Sequence, residues 1–172
     1  MAIEINKLTN CNVYVDGTSF MGRAEEIDVP EINFKMAEHK SLGLFGTFDV
    51  PSGLDKMEAR IKWNALYPEV LANTGNPYKA HQLMVRASLE RYTSEGRTAQ
   101  VPAVFTMTGM CKNLPSGKFK QHDNIELETK WTVTRCKLTI DGQTIYEVDV
   151  MANIFTVGDE DVLAEYRNNV GS

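Results

Sequence analysis

Cysteine is scarce in this chain, and its arrangement is uninformative for cross-linking: Cys11, Cys111 and Cys136 are odd in number, far apart and without a C-x-x-C spacing. That excludes a disulfide framework and gives no support to a zinc site. All three read as reduced packing residues. His39, His81 and His122 lie about forty residues apart, each without a second His or Cys at the short spacing a metal pair needs. They are expected to be scattered surface or strand histidines, with no metal and no other cofactor. No apolar run reaches the ~18 residues of a membrane-spanning helix, so stable membrane association is not expected. The opening MAIEINKLTN lacks the charged-then-apolar pattern of a signal peptide, which points to a chain made and kept in a cytoplasm.

Basic charge is also in deficit, with 18 Lys and Arg against 23 Asp and Glu and a net charge of −5. A protein that grips nucleic acid by its phosphates needs a basic patch, so that class is disfavoured. Phosphate-loop, dinucleotide, zinc-protease and serine-elbow motifs are all missing. The acidic pairs Glu25-Glu26 and Glu126/Glu128 have the spacing of strand neighbours or solvating charges rather than of a catalytic dyad. An enzyme is not expected.

What remains is an ordinary amount of core-forming material. The 172 residues are 42% hydrophobic and 24% charged, enough for one core and a single domain over residues 1–172. The fold class expected is mainly β, with two short helices. Asp16-Gly17 and Asp141-Gly142 each sit between β-forming runs, where Asp-Gly supplies the positive φ values of a two-residue hairpin turn. Met57, Ala59, Ile61, Trp63 and Ala65 alternate with Glu58, Arg60, Lys62 and Asn64, the period of a strand with one buried and one wet face. Residues 81–92 and 99–110 read as a second hairpin, and residues 114–124 as a polar loop. Apolar phase changes predict bulges near Pro30 and near Arg135. Pro68 and Gly75 bracket a short helix. From Gly158 to Gly171 the pattern predicts an amphipathic helix, with acids in its first turn and Val162, Leu163 and Tyr166 packing on the outside of the sheet.

Residues 38–56, EHKSLGLFGTFDVPSGLDK, stand out. Leu42, Leu44, Phe45, Phe48, Val50 and Leu54 are interrupted by Gly43, Gly46, Pro51 and Gly53, so no helix propagates through them. Extended segments on both sides make this the tip of a long hairpin arm. Two readings are open: a loop folded back over its own core, or an arm that docks on another subunit, since a monomer would present it as a sticky patch.

Several blocks carry a family resemblance. Residues 12–22, NVYVDGTSFMG, followed by Pro30, resemble the start of the major tail tube protein of contractile-tailed bacteriophages. So do the glycine-rich arm with Leu54-Asp55 and the strand running to Trp63. Leu138-Thr139-Ile140-Asp141-Gly142, Glu147-Val148-Asp149 and the ending Arg167-Asn168-Asn169-Val170-Gly171 are similar to that family's C-terminal block. The aromatic Tyr166 before Arg167 departs from its pattern.

The resemblance implies a β-sandwich or barrel subunit, six of which close into a ring, with rings stacked into a rigid hollow tube. Six charges of −5 would give −30 per ring, with the sign of the bore left open. The implied partners are further copies of the chain, a tail sheath protein, a tape-measure protein and baseplate or tail-tip proteins, with DNA as transient lumen cargo. The implied location is a virion tail, or a tail-like bacteriocin particle, assembled in a bacterial cytoplasm. A type VI secretion tube protein and a small-ligand-binding β-barrel are the alternatives.

Overall fold

The computed structural model describes residues 3–43 and 45–171. In chain order the strands are β1 (Ile5–Val15), β2 (Thr18–Ser19), β3 (Ala24–Asp28), β4 (Phe34–His39), β5 (Phe48–Leu54) and β6 (Met57–Trp63). After the helix α1 (Pro68–Thr74) come β7 (Ala80–Thr93), β8 (Gly96–Cys111), β9 (Leu127–Ile140), β10 (Gln143–Asp149), β11 (Ile154–Val157) and β12 (Glu160–Asp161), and then α2 (Ala164–Val170). The fold is mainly β, as the alternating runs predict. Both Asp-Gly pairs form tight turns: φ is +48° at Asp16 and +81° at Gly17, +53° at Asp141 and +78° at Gly142. Two positive φ values in succession match the twist of the strands they join.

Ten strands form one antiparallel sheet in the order β12-β11-β10-β9-β8-β7-β1-β2, with β6 joined to β9 and β3 joined to β6. β9 therefore serves two strands on one edge. Its first half, Leu127 to Val133, pairs with β6, and Arg135 to Ile140 pairs with β10. Thr134 falls at the changeover, where the register with β8 slips between Thr108 opposite Arg135 and Gly109 opposite Val133. The bulge read from the apolar phase change lies here, one residue before Arg135. Gly109 is required at it, because a Cβ there would sit 2.5 Å from the Thr132 carbonyl oxygen.

Past β9 the sheet rolls until β3 lies beside β1 without a ladder between them. Side chains fill the roll: Phe20, Met57, Ile61, Trp63, Leu83, Met107, Leu127 and Trp131 are fully buried. Phe20 meets Trp63 edge-on at 5.2 Å.

The structure corrects three expectations. No bulge carries the chain past Pro30; residues 29–33 leave the sheet, and β4 and β5 form a separate two-stranded ribbon. Proline cannot donate to a ladder, so the apolar phase shift marks a departure rather than a bulge. The C-terminal helix is shorter than the pattern predicts, because Glu160 and Asp161 pair with β11 instead of forming a first turn. Cys11 is exposed, whereas Cys111 and Cys136 are buried, and burial pushes the Cys136 thiol up to about 11. His81 is a strand histidine, in β7, as expected. It is 2% exposed, packs edge-on to Trp131, and its Nδ1 lies 2.6 Å from Asp16 Oδ2.

Candidate assembly interface

The arm is the β4–β5 ribbon, in register from Phe34 opposite Leu54 to His39 opposite Phe48. Near its root an extra residue enters β5: Lys35 faces Gly53 and Met36 faces Pro51, and the intervening Ser52 donates its hydroxyl to the Lys35 carbonyl at 3.1 Å. Pro51 and Gly53 suit such a site, since one lacks an N–H and the other sits at φ +136°. Of the six arm residues singled out from sequence, Leu54 packs against the core. Leu42 and Phe45 at the tip are fully exposed, Phe48 and Val50 are exposed along the ribbon, and Leu44 lies outside the described residues. Every residue of β4 is exposed, so the arm stands away from its own core.

The root leans on the C-terminal module, with the Phe34 and Phe155 rings 5.6 Å apart. Between them runs an open groove of about 790 Å³ lined by Phe34, Leu54, Phe155, Val162, Leu163 and Tyr166 among others. The three side chains expected to pack on the sheet therefore face this groove. Leu163 is half-buried, Val162 and Tyr166 are about half exposed, and α2 buries no residue of its own. Polar contacts hold the helix instead. Arg167 donates to the Asn153 carbonyl at 3.0 Å and to Asp161 Oδ1 at 3.1 Å, and it also pairs with Asp161 Oδ2. That guanidinium holds the Asp161 carboxyl below the usual carboxylate range. Gly171 ends the helix at φ +73° and donates its N–H to the Arg167 carbonyl. Sequence reasoning singled out the apolar stripe and missed the Asp161–Arg167 tie; the spacing of six brings the last acid of the run 159–161 to Arg167 only once β12 turns into α2.

A second surface lies at the far end of the long strands. Residues 3–11 are exposed, including Ile3, Ile5 and Leu8, and nothing behind this part of β1, β7 and β8 forms a core. Among the described residues, β1 has no ladder partner on its outer edge before Tyr14. The face of these strands turned away from the roll mixes amides and hydroxyls such as Asn10, Asn12, Gln82, Ser88, Gln100 and Thr106 with apolar Ile5, Met84, Pro102 and Val104, the cations Lys7, Arg86 and Arg97 and the acid Glu90. Tyr92 and Arg97 donate to Glu90 at 2.7 and 2.8 Å. These two bonds keep its carboxyl low. Among the described residues no group of three or more His, Cys, Asp or Glu could hold a metal ion. No helix among them is long and apolar enough to cross a membrane.

Comparison with known proteins gives a consistent result. The family model described as phage tail tube protein FII matches residues 5–171. The tail tube protein of Escherichia phage P2 is 29% identical over 171 residues, 96% of each chain. The major tail tube protein of Serratia phage KSP20 is 25% identical over 157 residues, covering 90% of this chain and 88% of that one. In fold, the chain resembles one from the extended sheath–tube complex of an extracellular contractile injection system, PVC. The TM-score is 0.57 at 12% identity, over 75% of this chain and 87% of the other. A chain of that system's sheath/tube terminator gives 0.55 at 14% identity, over 75% and 92%.

Proposed function

The chain belongs to the phage tail tube protein FII family, and from that premise we propose that six copies close into a ring and that rings stack into the hollow inner tube of a contractile tail. As a tail tube protein it is a component of a virion tail or tail-like particle, and its family is structural rather than enzymatic. The observation that carries the ring is the coreless end of β1, β7 and β8, with its free β1 edge and exposed Ile5 and Leu8. A long unpaired edge is an aggregation liability in a monomer, and closure around a ring removes it.

In this reading residues 1–172 work as one tail tube domain. Leu42, Leu44, Phe45, Phe48, Val50 and Leu54 belong to an inter-subunit arm, and Val162, Leu163 and Tyr166 to an outer element near the sheath. The relatives in sheath–tube complexes support a sheath protein as partner. Tape-measure and baseplate or tail-tip proteins complete the proposed set. Sheath contraction drives the tube through a bacterial envelope, and in a phage the bore conducts DNA. Of the three cations on the face of β1, β7 and β8 turned away from the roll, Arg97 is tied to Glu90, which leaves Lys7 and Arg86 spaced among neutral side chains and gives phosphates few points to hold. Negative-stain micrographs of the purified full chain, alone and with a tail-tip complex as template, are expected to show hollow tubes built from rings. A chain that stays monomeric at every concentration, template present, overturns the proposal.

A further inference from the structure

We infer that Glu90 sets the register of the free β1 edge, and so decides which side chains that edge offers to a second copy of this chain. The inference rests on the tube reading and adds to it a positioning residue for ring closure. Among the described residues of β1 before Val13, β7 after Val85 and β8 before Phe105, Glu90 alone is buried, at 6% exposure. The one buried side chain at the coreless end is a carboxylate.

Where one face of a sheet is buried, the core fixes the register; where both faces are wet, a slip of one residue meets little resistance and turns every side chain to the other face. The core holds β1 through Val13 and Val15. Beyond Cys11 that hold ends, and there the ladders change step. Leu8 faces Leu89 and Asn10 faces Ser88, so Thr9 is an extra residue in β1. On the other side of β7, Arg91 faces Ala99 and Tyr92 faces Arg97, so Thr98 is an extra residue in β8. Glu90 lies between these two bulges and is bonded toward both. Arg97, next to Thr98, donates to it at 2.8 Å, Tyr92 opposite Arg97 donates at 2.7 Å, and the Thr9 side chain bonds it as well. Lys7 is the residue directly across the ladder from it.

The bulge at Thr9 has a consequence for the edge. With Thr9 set out of step, Leu8, Leu89 and Val101 stand in one apolar row across the three strands. Were β1 to run on without the bulge, Thr9 would stand opposite Leu89, Leu8 opposite Glu90 and Lys7 opposite Arg91, and Ile5 and Leu8 would change faces. That slip would set apolar Leu8 against the carboxylate and place Lys7 against another cation. Glu90 therefore favours the observed register and opposes the alternative.

The test uses full-length chains with Cys11→Ser; Cys111 and Cys136 are buried. One preparation carries Asn6→Cys with Arg91→Cys, which face each other in the structure. Another carries Lys7→Cys with Arg91→Cys, which face each other only after the slip. Each is made with Glu90 unchanged, with Glu90→Ala and with Glu90→Gln, then oxidised under the same mild conditions, and the disulfide formed within one chain is read by mass. With Glu90 in place the first pair should close roughly tenfold faster than the second, and Glu90→Ala should bring that ratio to about one. Glu90→Gln keeps a single acceptor oxygen and should fall between. Without the added cysteines, Glu90→Ala should melt like the parent yet give few or no tubes in micrographs. A ratio that Glu90→Ala leaves unchanged, a tube yield equal to the parent's, or a variant that fails to fold overturns the inference. If the unsubstituted chain makes no tubes, the tube reading fails, while the disulfide ratio still decides whether Glu90 sets the register.

Discussion

Thr129 is fully buried, and its hydroxyl oxygen accepts hydrogen bonds from the indole N–H groups of both Trp63 and Trp131, each at 3.1 Å. One small side chain thus satisfies two large ones in the middle of the roll. Thr129→Val keeps the shape and strands both donors, and an unsatisfied buried donor costs about 1–3 kcal/mol. Urea unfolding is expected to show a loss of roughly 2–4 kcal/mol, against under about 1 kcal/mol for Thr129→Ser, which removes one methyl. Equal stability of the two variants would refute the shared-acceptor role. Asp16 makes a second prediction. Burial alone would raise its pKa, but the bonds from His81 and from the Gln82 N–H outweigh it and hold the carboxyl below the usual carboxylate range. A depressed folded pKa means stability that is present above the unfolded value and lost as pH falls through the folded one. The parent should therefore lose melting temperature below about pH 4, and Asp16→Asn should start lower and decline less over that range. Parallel acid limbs would count against it. Neither site was legible in the sequence. Alternation marks Trp63 and Trp131 as inward-facing, yet no spacing tells that both reach Thr129, and His81 looks like any isolated strand histidine until the turn at Asp16 lands beside it.

Among the elements, the ones fixed by local chemistry were readable and the ones fixed by partners were not. Both Asp-Gly hairpins, the alternating β6 and the helix between Pro68 and Gly75 follow from residues within a few positions of each other, and each is present. The change of phase around Pro30 was equally visible, but a bulge and a departure from the sheet leave the same trace in sequence. Which one occurs depends on β5 being there to pair with β4. Likewise the acids Asp159, Glu160 and Asp161 suit a helix start by charge, and only the free edge of β11 makes Glu160 and Asp161 a strand. Gly109 gives the prediction at this scale. Its neighbour across the bulge is backbone, not a flexible side chain, so Gly109→Ala forces β8 and β9 apart where β6 hands over to β10. A cost of about 1–3 kcal/mol is expected for such overpacking, read as a lower denaturant midpoint, with amide exchange quickening around Thr132 and Thr134. Unchanged exchange at those two amides would mean that the register slip tolerates a side chain.

For the whole molecule, the arm separates folding from assembly. Leu42 and Phe45 touch nothing in the single chain, so Leu42→Asp with Phe45→Ser should shift its unfolding free energy by no more than about 0.5 kcal/mol per site. If each side chain is buried against a neighbour, about 1.5–3 kcal/mol is lost at every contact, and tubes should be absent from micrographs. Normal tubes, or a large drop in melting temperature, would return the arm to a role inside its own subunit. The shared edge of β9 bears on how each copy comes into being. Ala59 of β6 finds its partner at Trp131, so a ribosome must add 72 further residues, the difference between those two positions, before the edge of β6 that is not paired with β3 has a strand beside it. At roughly 5–20 residues per second that interval lasts about 4–14 s. Throughout it the nascent chain holds Met57, Ile61 and Trp63 without the strand that will cover them, and a chaperone that binds extended apolar segments has those seconds in which to find it.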